Sequence, residues 1–444
     1  MPSSNHFSRR QFLKAVGLTT AAAPFITSRL FAQSAPPVLR HASFGVGGMG
    51  WSDLTQFSSH PQFQLVAMCD VDTHRSEAAR KKFPQARFYQ DWRELLDREA
   101  GNIDSVNVAT PDHMHAPIAV SAMQLGKHVY GQKPLAHDLH EVRRMTEIAR
   151  EKRLITQMGI QIHSAAAYRV AVRMLQDGAI GQIKEVHSWC FKSWGDTAPL
   201  PQRQDPVPAT LNWDLWLGVC ARRPFIGEGY YHPENWRKRL DFGTGTFGDM
   251  GCHIFDPVFK ALELTAPTSV RSEGVAPNEW NWALNSTIHY QFPGTKYTAE
   301  RVLPVTWYDG EAKPPAEIIA LLEGDKPPMT GSIFVGTAGT LLLPHVSKPV
   351  LYPDAKFQNY EYPNLSEVDH WGSFIDACLG RGQTSAHFGY AGPLTEAVLL
   401  GGVASRFPHT TLKWNTAKLR FDSRKANRYV RRSYRRGWRV KGLG

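Results

Sequence analysis

Phe44-Gly45-Val46-Gly47-Gly48-Met49-Gly50 follows a short apolar run, Leu39–Phe44, and opens a helical pattern. Gly45, Gly47 and Gly50 fit the spacing G-x-G-x-x-G. In such a turn the first glycine permits the tight bend, the second lets backbone approach a pyrophosphate, and the third lets helix and strand pack closely. Gly48 and Met49 complete the loop, and the helix start offers free N–H groups to phosphate. A second apolar run ends at Met68-Cys69-Asp70, so Asp70 lies about twenty residues past the last glycine, where an acid that holds a ribose is expected. Arg75 and His74 follow closely enough to offer a counter-charge to a 2′-phosphate. Asp70 disfavours that phosphate, so the loop favours NAD, with NADP the other possibility.

The pattern around this loop alternates. Strand candidates Leu39–Phe44, Gln64–Asp70, Ser105–Ala109, His128–Tyr130 and Ile155–Met158 are separated by helical patterns at Asp53–Phe57, Thr73–Phe83, Trp92–Asp97, Ala116–Leu125 and Leu139–Lys152. Alternation of this kind predicts a doubly wound parallel sheet, a Rossmann domain over residues 36–158. Ligands of such sheets bind beyond the carboxyl ends of the strands. Thr110-Pro111-Asp112-His113-Met114-His115 and Gly131-Gln132-Lys133-Pro134 fall there too.

After Gln161 a helix, Ala165–Asp177, precedes β-like runs at Ile183–Lys192, Thr287–Phe292, Tyr297–Tyr308, Ile333–Val335 and Thr340–Leu343. They predict an α/β domain over 159–423 with an open, mostly antiparallel sheet, one face covered by helices. Late helices are expected at His370–Leu379 and Pro393–Ser405. Residues 195–240, rich in Trp, Pro and Arg, read as a long loop over a site.

The 444 residues carry a net charge of +11, which is misleading. Four cations lie in the first 34 residues and nine between Arg424 and Lys441, with no acid in either stretch. The basic character thus belongs to the two ends and not to a nucleic-acid footprint over the body. The C-terminal segment, 424–444, is expected to pack on the body or on another subunit. Ser8-Arg9-Arg10-Gln11-Phe12-Leu13-Lys14 matches a twin-arginine export signal, followed by the mildly apolar Ala15–Ile26. Residues 1–34 are therefore expected to be a signal that sends the folded chain to the periplasm. That compartment has no nucleotide pool, so the dinucleotide should be held tightly. The five cysteines are scattered without a C-x-x-C, so no zinc site is expected and at most one disulfide. No apolar run is long enough for a mature membrane span.

Gly243–Asp256 is the second informative stretch. Asp249, His253 and Asp256 are spaced i, i+4, i+7, so on a helix they share one face. A carboxylate beside an imidazole orients it and raises its basicity, as a proton-transfer pair requires. The same spacing also suits a helix cap and a buried structural histidine, or half a metal site without further ligands. Lys133, just past a strand and followed by Pro134, would reach a nicotinamide edge, although a surface lysine reads the same way.

Together the glycine loop, Asp70, Thr-Pro-Asp-x-x-His, Gly-Lys-His-Val-Tyr-x-x-Lys-Pro-Leu and Gly-Asp-Met-Gly-x-His-x-x-Asp resemble the glucose–fructose oxidoreductase/inositol dehydrogenase (Gfo/Idh/MocA) family, in its exported branch. The resemblance implies NAD or NADP, sugar or cyclitol substrates and a homo-oligomer. It implies that Lys133, Asp249 and His253 are catalytic, with Asp249 orienting His253. It also implies that Gly45, Gly47, Gly50, Asp70, Thr110, Pro111 and His115 contact the cofactor. One departure stands out: the glutamate that precedes the lysine in relatives is Gln132 here. Gln161, His163, Trp194, Trp236 and Arg237 are expected to line the sugar site, since aromatic faces and bidentate donors suit polyols. The expected activity is oxidation of a secondary hydroxyl of a sugar, glycoside or cyclitol. The alternatives are a glycoside hydrolase that uses transient oxidation and elimination, and a non-catalytic sugar-binding relative.

Overall fold

The computed structural model describes residues 37–443. The expected export signal and its cleavage region lie outside the described residues. Six parallel strands come first: β1 (Leu39–Phe44), β2 (Phe63–Cys69), β3 (Arg87–Tyr89), β4 (Ser105–Val108), β5 (His128–Gln132) and β6 (Thr156–Gly159). Their order is β3-β2-β1-β4-β5-β6. The chain winds outward one way from β1 and the other way from β4, so the loops after these two strands flank the point where a crevice opens. The first follows β1 into helix α1 (Met49–Phe57), and the second carries Thr110 and Pro111. Helices α2 (Glu77–Lys82), α3 (Trp92–Glu99), α4 (His115–Gln124) and α5 (Leu139–Glu151) cover the two faces. β1, β4 and β5 bury nearly every side chain, as a sheet covered on both faces requires.

Two details differ from the sequence expectation. β3 has only three residues, too few to show a period. The helix expected from Thr73 begins at Glu77, because residues 72–76 are tied elsewhere. Thr73 N–H donates to the Thr210 carbonyl, and Asp72 Oδ1 accepts from His74 N–H.

Helix α6 (Ala166–Gln176) leads into a nine-stranded sheet. Its strands are β7 (Ile183–Cys190), β8 (Ser269–Glu273), β9 (Thr287–Pro293), β10 (Val302–Asp309), β11 (Thr330–Gly336), β12 (Thr340–Pro344), β13 (Val350–Tyr352), β14 (Thr411–Asn415) and β15 (Arg420–Phe421). Their order is β13-β12-β11-β7-β10-β9-β8-β14-β15. Only β7 and β10 pair in parallel, and the other neighbours are antiparallel. The run expected from Tyr297 is a turn up to β10, in which Thr298 Oγ1 donates to the Thr295 carbonyl.

The connection 195–240 is more than a loop. It holds helix α7 (Trp213–Leu217) and its own apolar cluster, in which Trp213, Tyr231 and Phe242 pack around Trp216. Helix α8 (Gly245–Leu262) follows, almost wholly buried. Phe247 on α8 stacks on Trp307 of β10 at 4.6 Å, which locks the helix to the sheet. The short helices α9 (Ala316–Ile319) and α10 (Asp354–Phe357) precede α11 (His370–Cys378), which packs on α1, and α12 (Phe388–Ala404), which closes the core against α5 and α8. The basic C-terminal strip packs on the body: Tyr434 Oη donates to Glu141 Oε1 at 2.6 Å, and Trp438 and Leu443 are buried. No helix of the described residues is long and apolar enough to cross a membrane.

The glycine loop shows why Gly50 must be glycine. A Cβ there would lie 1.9 Å from the Gly45 carbonyl oxygen and 3.1 Å from Ala109 Cβ. Backbone cannot yield as a side chain tip does, so Gly50→Ala should push α1 off β1. A loss of about 1–3 kcal/mol is expected, the range for forced overpacking. NAD affinity should fall at least tenfold, measured by thermal unfolding and by NAD titration.

Candidate active site

A cavity of ≈ 490 Å³ runs from the glycine loop to the start of α8, within the size range of small-molecule sites. Gly45, Gly47, Gly48, Met49, Asp70, Arg75, Thr110, Pro111 and His115 line one half of it. Gly50 does not: it packs α1 against β1. Asp70 Oδ2 accepts from Val46 N–H at 2.9 Å and Oδ1 from Asp72 N–H at 3.0 Å, so the acid fixes the loop while keeping lone pairs for a ligand hydroxyl. Arg75 lies against the loop, its Nε 3.2 Å from where a Cβ on Gly47 would sit. Thr110 Oγ1 is buried without a hydrogen-bond partner, a donor left for a ligand. A backbone cradle that side chains would fill, together with an orphaned hydroxyl beside it, fits a dinucleotide. His115 does more than line the wall. Its Nε2 is 2.7 Å from the Thr110 carbonyl and its Nδ1 2.7 Å from the Pro134 carbonyl, so it braces the β4 loop against the residue after Lys133.

At the far end four side chains meet on one carboxylate. Lys133 Nζ donates to Asp249 Oδ1 at 2.6 Å and to the Asp249 carbonyl at 2.7 Å. Trp194 Nε1 donates to Oδ2 at 2.9 Å, and Arg237 Nε to Oδ1 at 3.3 Å. Lys192 Nζ stands 3.9 Å from Oδ2. Burial alone would raise the Asp249 carboxyl, but Lys133 and Arg237 outweigh it and hold it well below the usual carboxylate range. Arg237 also lies over Trp236 at 4.3 Å and Trp194 at 5.5 Å, which makes a cationic and aromatic wall.

The structure corrects the expected Asp249–His253 pair. Both residues line the cavity, but the Asp249 oxygens are spent on Lys133, Trp194 and Arg237. Neither ring nitrogen of His253 hydrogen-bonds to another described group, and its Nδ1 is buried without a partner. Burial, then Lys133 and His345, hold its pKa well below the ordinary value, so the ring is neutral. Its neighbour is His345, at 6.0 Å between ring centroids, whose Nδ1 is 2.7 Å from Tyr168 Oη. Asp256, the third member of the i, i+4, i+7 series, does not line the cavity. It pairs with His163 at 2.8 Å and accepts from Tyr390 Oη at 2.6 Å. His163 is therefore not a lining residue either, because Asp256 and the Tyr390 ring hold it in the core. Gln161 does line the cavity, and its Nε2 is buried without a partner.

Several polar residues of the site escaped the sequence reading, and two of them, Lys192 and His345, stand at its reactive end. Lys192 and His345 each follow the end of a strand of the second sheet, β7 and β12, within two residues. The strand-end rule found the first sheet's residues, and its use on the second would have found these. Among the described residues no group of three or more His, Cys, Asp or Glu could hold a metal, and all five cysteines are free thiols.

Gln132 finds its acid elsewhere. Its Nε2 donates at 2.7 Å to Asp53 Oδ2 on α1, and Trp371 Nε1 donates to Asp53 Oδ1 at 2.9 Å. Gly159 leaves the room, since a Cβ there would lie 2.5 Å from Gln132 Nε2. Burial pushes the Asp53 carboxyl up to about 7 against those two hydrogen bonds. A raised carboxyl makes the native state bind the proton longer than the unfolded chain. Stability from Asp53 is therefore whole below pH ~4 and falls as pH rises towards 7. Asp53→Asn should flatten that decline, with a gain over the parent at pH 8 that is absent at pH 4. The ceiling is about 4 kcal/mol, from three pH units at about 1.4 each. Urea midpoints at the two pH values check it.

The oxidoreductase family model with an NAD-binding Rossmann fold matches residues 39–160, and the model for its C-terminal α/β domain matches 179–295. The chain belongs to the Gfo/Idh/MocA oxidoreductase family. Its first domain is an NAD-binding Rossmann domain. The chain is similar to levoglucosan dehydrogenase of Pseudarthrobacter phenanthrenivorans, 24% identical over 220 residues, 48% of each chain. It is 28% identical over 209 residues to the α-N-acetylgalactosaminidase of Shewanella oneidensis, 40% of this chain and 45% of that one. The matches thus span about half the length of these curated relatives. Among solved structures, the WlbA dehydrogenase of Bordetella pertussis, in complex with NADH and UDP-GlcNAcA, shares the fold. Its TM-score is 0.61 at 16% identity, over 85% of this chain and 99% of that one.

Proposed function

We propose that this chain is an NAD-dependent oxidoreductase that takes a secondary hydroxyl of a sugar, glycoside or cyclitol to the ketone. The observation that carries this reading is the continuity of one cavity from the glycine loop and Asp70 to Lys133, Asp249 and His253. NAD, when bound, supplies the acceptor for the two electrons and the hydrogen that leave carbon. Trp194, Trp236 and Arg237 seat the polyol by ring face and guanidinium. Lys133 gives two of its three ammonium donors to Asp249, and the third is left for the reacting oxygen, where negative charge develops. His253, neutral and without a bond to another described residue, accepts the hydroxyl proton. His345 stands beside it as the next group towards which that proton can move.

The likeness to an α-N-acetylgalactosaminidase supports a second reading, in which oxidation is transient and a glycosidic bond is cleaved. We further infer export by the twin-arginine route, supported by Ser8–Lys14, with the cofactor held tightly, and assembly as a homo-oligomer. The test begins by denaturing the purified protein and identifying the released nucleotide, expected to be NAD. The native protein is then given polyols and a chromogenic glycoside. Bleaching or growth of the reduced-nicotinamide absorbance with a polyol supports the first reading. Sustained aglycone release without net redox change supports the second, and neither signal sinks both.

A further inference from the structure

A second cavity, of ≈ 360 Å³, lies between α12, the start of α8 and the C-terminal strip, and shares no lining residue with the first. We infer that it is a binding site for a small oxyanion-bearing molecule of sugar size, a sugar acid or a phosphate monoester. Its walls are cationic and short of partners. Arg432 Nη2 donates to Cys220 Sγ at 3.0 Å and to the Asp241 carbonyl at 3.3 Å, but its Nη1 is buried with no partner. His137 Nε2 is buried with none either. Arg406 is held between aromatic faces, 4.4 Å from the Tyr429 centroid and 5.1 Å from Trp282, and no carboxylate of the described residues forms an ion pair with it. Burial lowers its pKa, only partly offset by the Tyr429 phenol and the Asp241 carboxylate.

A buried charge normally has an opposite charge beside it, because desolvation costs several kcal/mol. Three acids line the same cavity, and the site's need survives them. Asp138 accepts from the backbone N–H groups of Glu141 and Arg432, and with Glu141 it supports the charge of Arg432, so what Arg432 leaves open is its unpartnered Nη1. Asp241 pairs with Arg223, and Glu279 is exposed at the rim. Arg406 and Arg432 offer forked donors of the geometry that carboxylate and phosphate accept. Arg428 stands exposed at the mouth. The opposite wall is apolar, from Val398, Leu399 and Val403 of α12, so the ligand has a body as well as a charge. Thus the basic C-terminal strip, which the oxidoreductase reading leaves unused, joins Arg428 and Arg432 to Arg406 in a site of its own.

Calorimetric titration of the NAD-loaded protein with inorganic phosphate, gluconate and glucose tests this. Saturable one-to-one binding of phosphate, and gluconate binding that depends on Arg406, are expected; glucose, which the first cavity can also take, should bind without any dependence on Arg406. Arg406→Met should weaken anion binding at least tenfold, while Arg173→Gln, exposed on α6 and lining neither cavity, should leave it within twofold. Where Arg406→Met does not fold, Arg428→Gln at the exposed rim should cost about threefold. No saturable binding of either anion, or unchanged affinity in the variants at 406 and 428, would overturn the assignment. The dependence on Arg406 and Arg428, which do not line the first cavity, separates this site from the chemistry proposed there.

Discussion

Lys133→Met should lower kcat on the polyol by about a thousandfold or more while the chain still carries its NAD. The side chain is the only lysine of β5 or its exit that reaches the joint of the two halves, and its ammonium lies within 2.7 Å of both Asp249 acceptors. One preorganised donor to a developing oxyanion contributes about 10²–10³ in rate. The same change leaves Asp249 to turn towards Arg237 and Lys192, which closes the space the reacting oxygen needs. The phosphate cradle is untouched, since the glycine loop, Asp70 and Thr110 belong to β1, β2 and β4 and not to β5. Lys133→Arg should not rescue turnover, because a planar fork cannot replace a compact ammonium in a site built around one carboxylate. Single-turnover reduction of bound NAD, with nucleotide counted per chain, is the measurement. Turnover within tenfold of the parent would remove Lys133 from the chemistry.

How much of the fold and the site can be read from the amino-acid sequence depends on whether the signal is local. The glycine loop is local: its turn, its acid and its helix lie within thirty residues, and the spacing of Gly45, Gly47 and Gly50 is a steric requirement. The alternation of strand and helix to Met158 is local too, because strands covered on both faces read as short apolar runs. Lys192 and His345 have no local signal. They meet Lys133 only because β7 and β12 end on the same side of the second sheet. The misreading of Asp249 has the same origin. A spacing of four residues places Asp249 and His253 on one face, but it says nothing of a lysine 116 residues away that takes the carboxylate first. Likewise His163 looked free for a sugar because Asp256, 93 residues on, is invisible from its neighbours. Gln132 looked like a lost carboxyl, but one stands beside it in Asp53, on α1, which takes its amide hydrogen bond.

Asp249→Asn should be the costliest polar substitution in the site, in stability as well as in rate. The carboxylate accepts from Lys133, Trp194 and Arg237 at once, and its side chain is only 9% exposed. Asparagine keeps one acceptor and turns a second acceptor into a donor that faces either the Trp194 N–H or the Lys133 ammonium. The cations are left without their common counter-charge, so about 3 kcal/mol should be lost at neutral pH, the lower end for breaking a buried pair because Arg237 and Lys192 can reach water. The pH dependence gives an independent check. Asp249 titrates below its unfolded value, so on acidification the unfolded chain takes up the proton first. The stability it contributes is whole above pH ~4 and shrinks as pH falls further. The gap between parent and variant should therefore be widest near pH 7 and close in strong acid, the opposite course to Asp53→Asn, whose advantage grows with pH. In turnover the variant should lose at least a hundredfold in kcat with little change in NAD content, since Lys133 keeps its bond to the main-chain carbonyl but loses the charged side-chain acceptor that helps aim its third proton. A variant as stable as the parent at pH 7 would mean that Lys133, Arg237 and Lys192 do not need this carboxylate. The joint between the two halves of the cavity would then rest on packing alone.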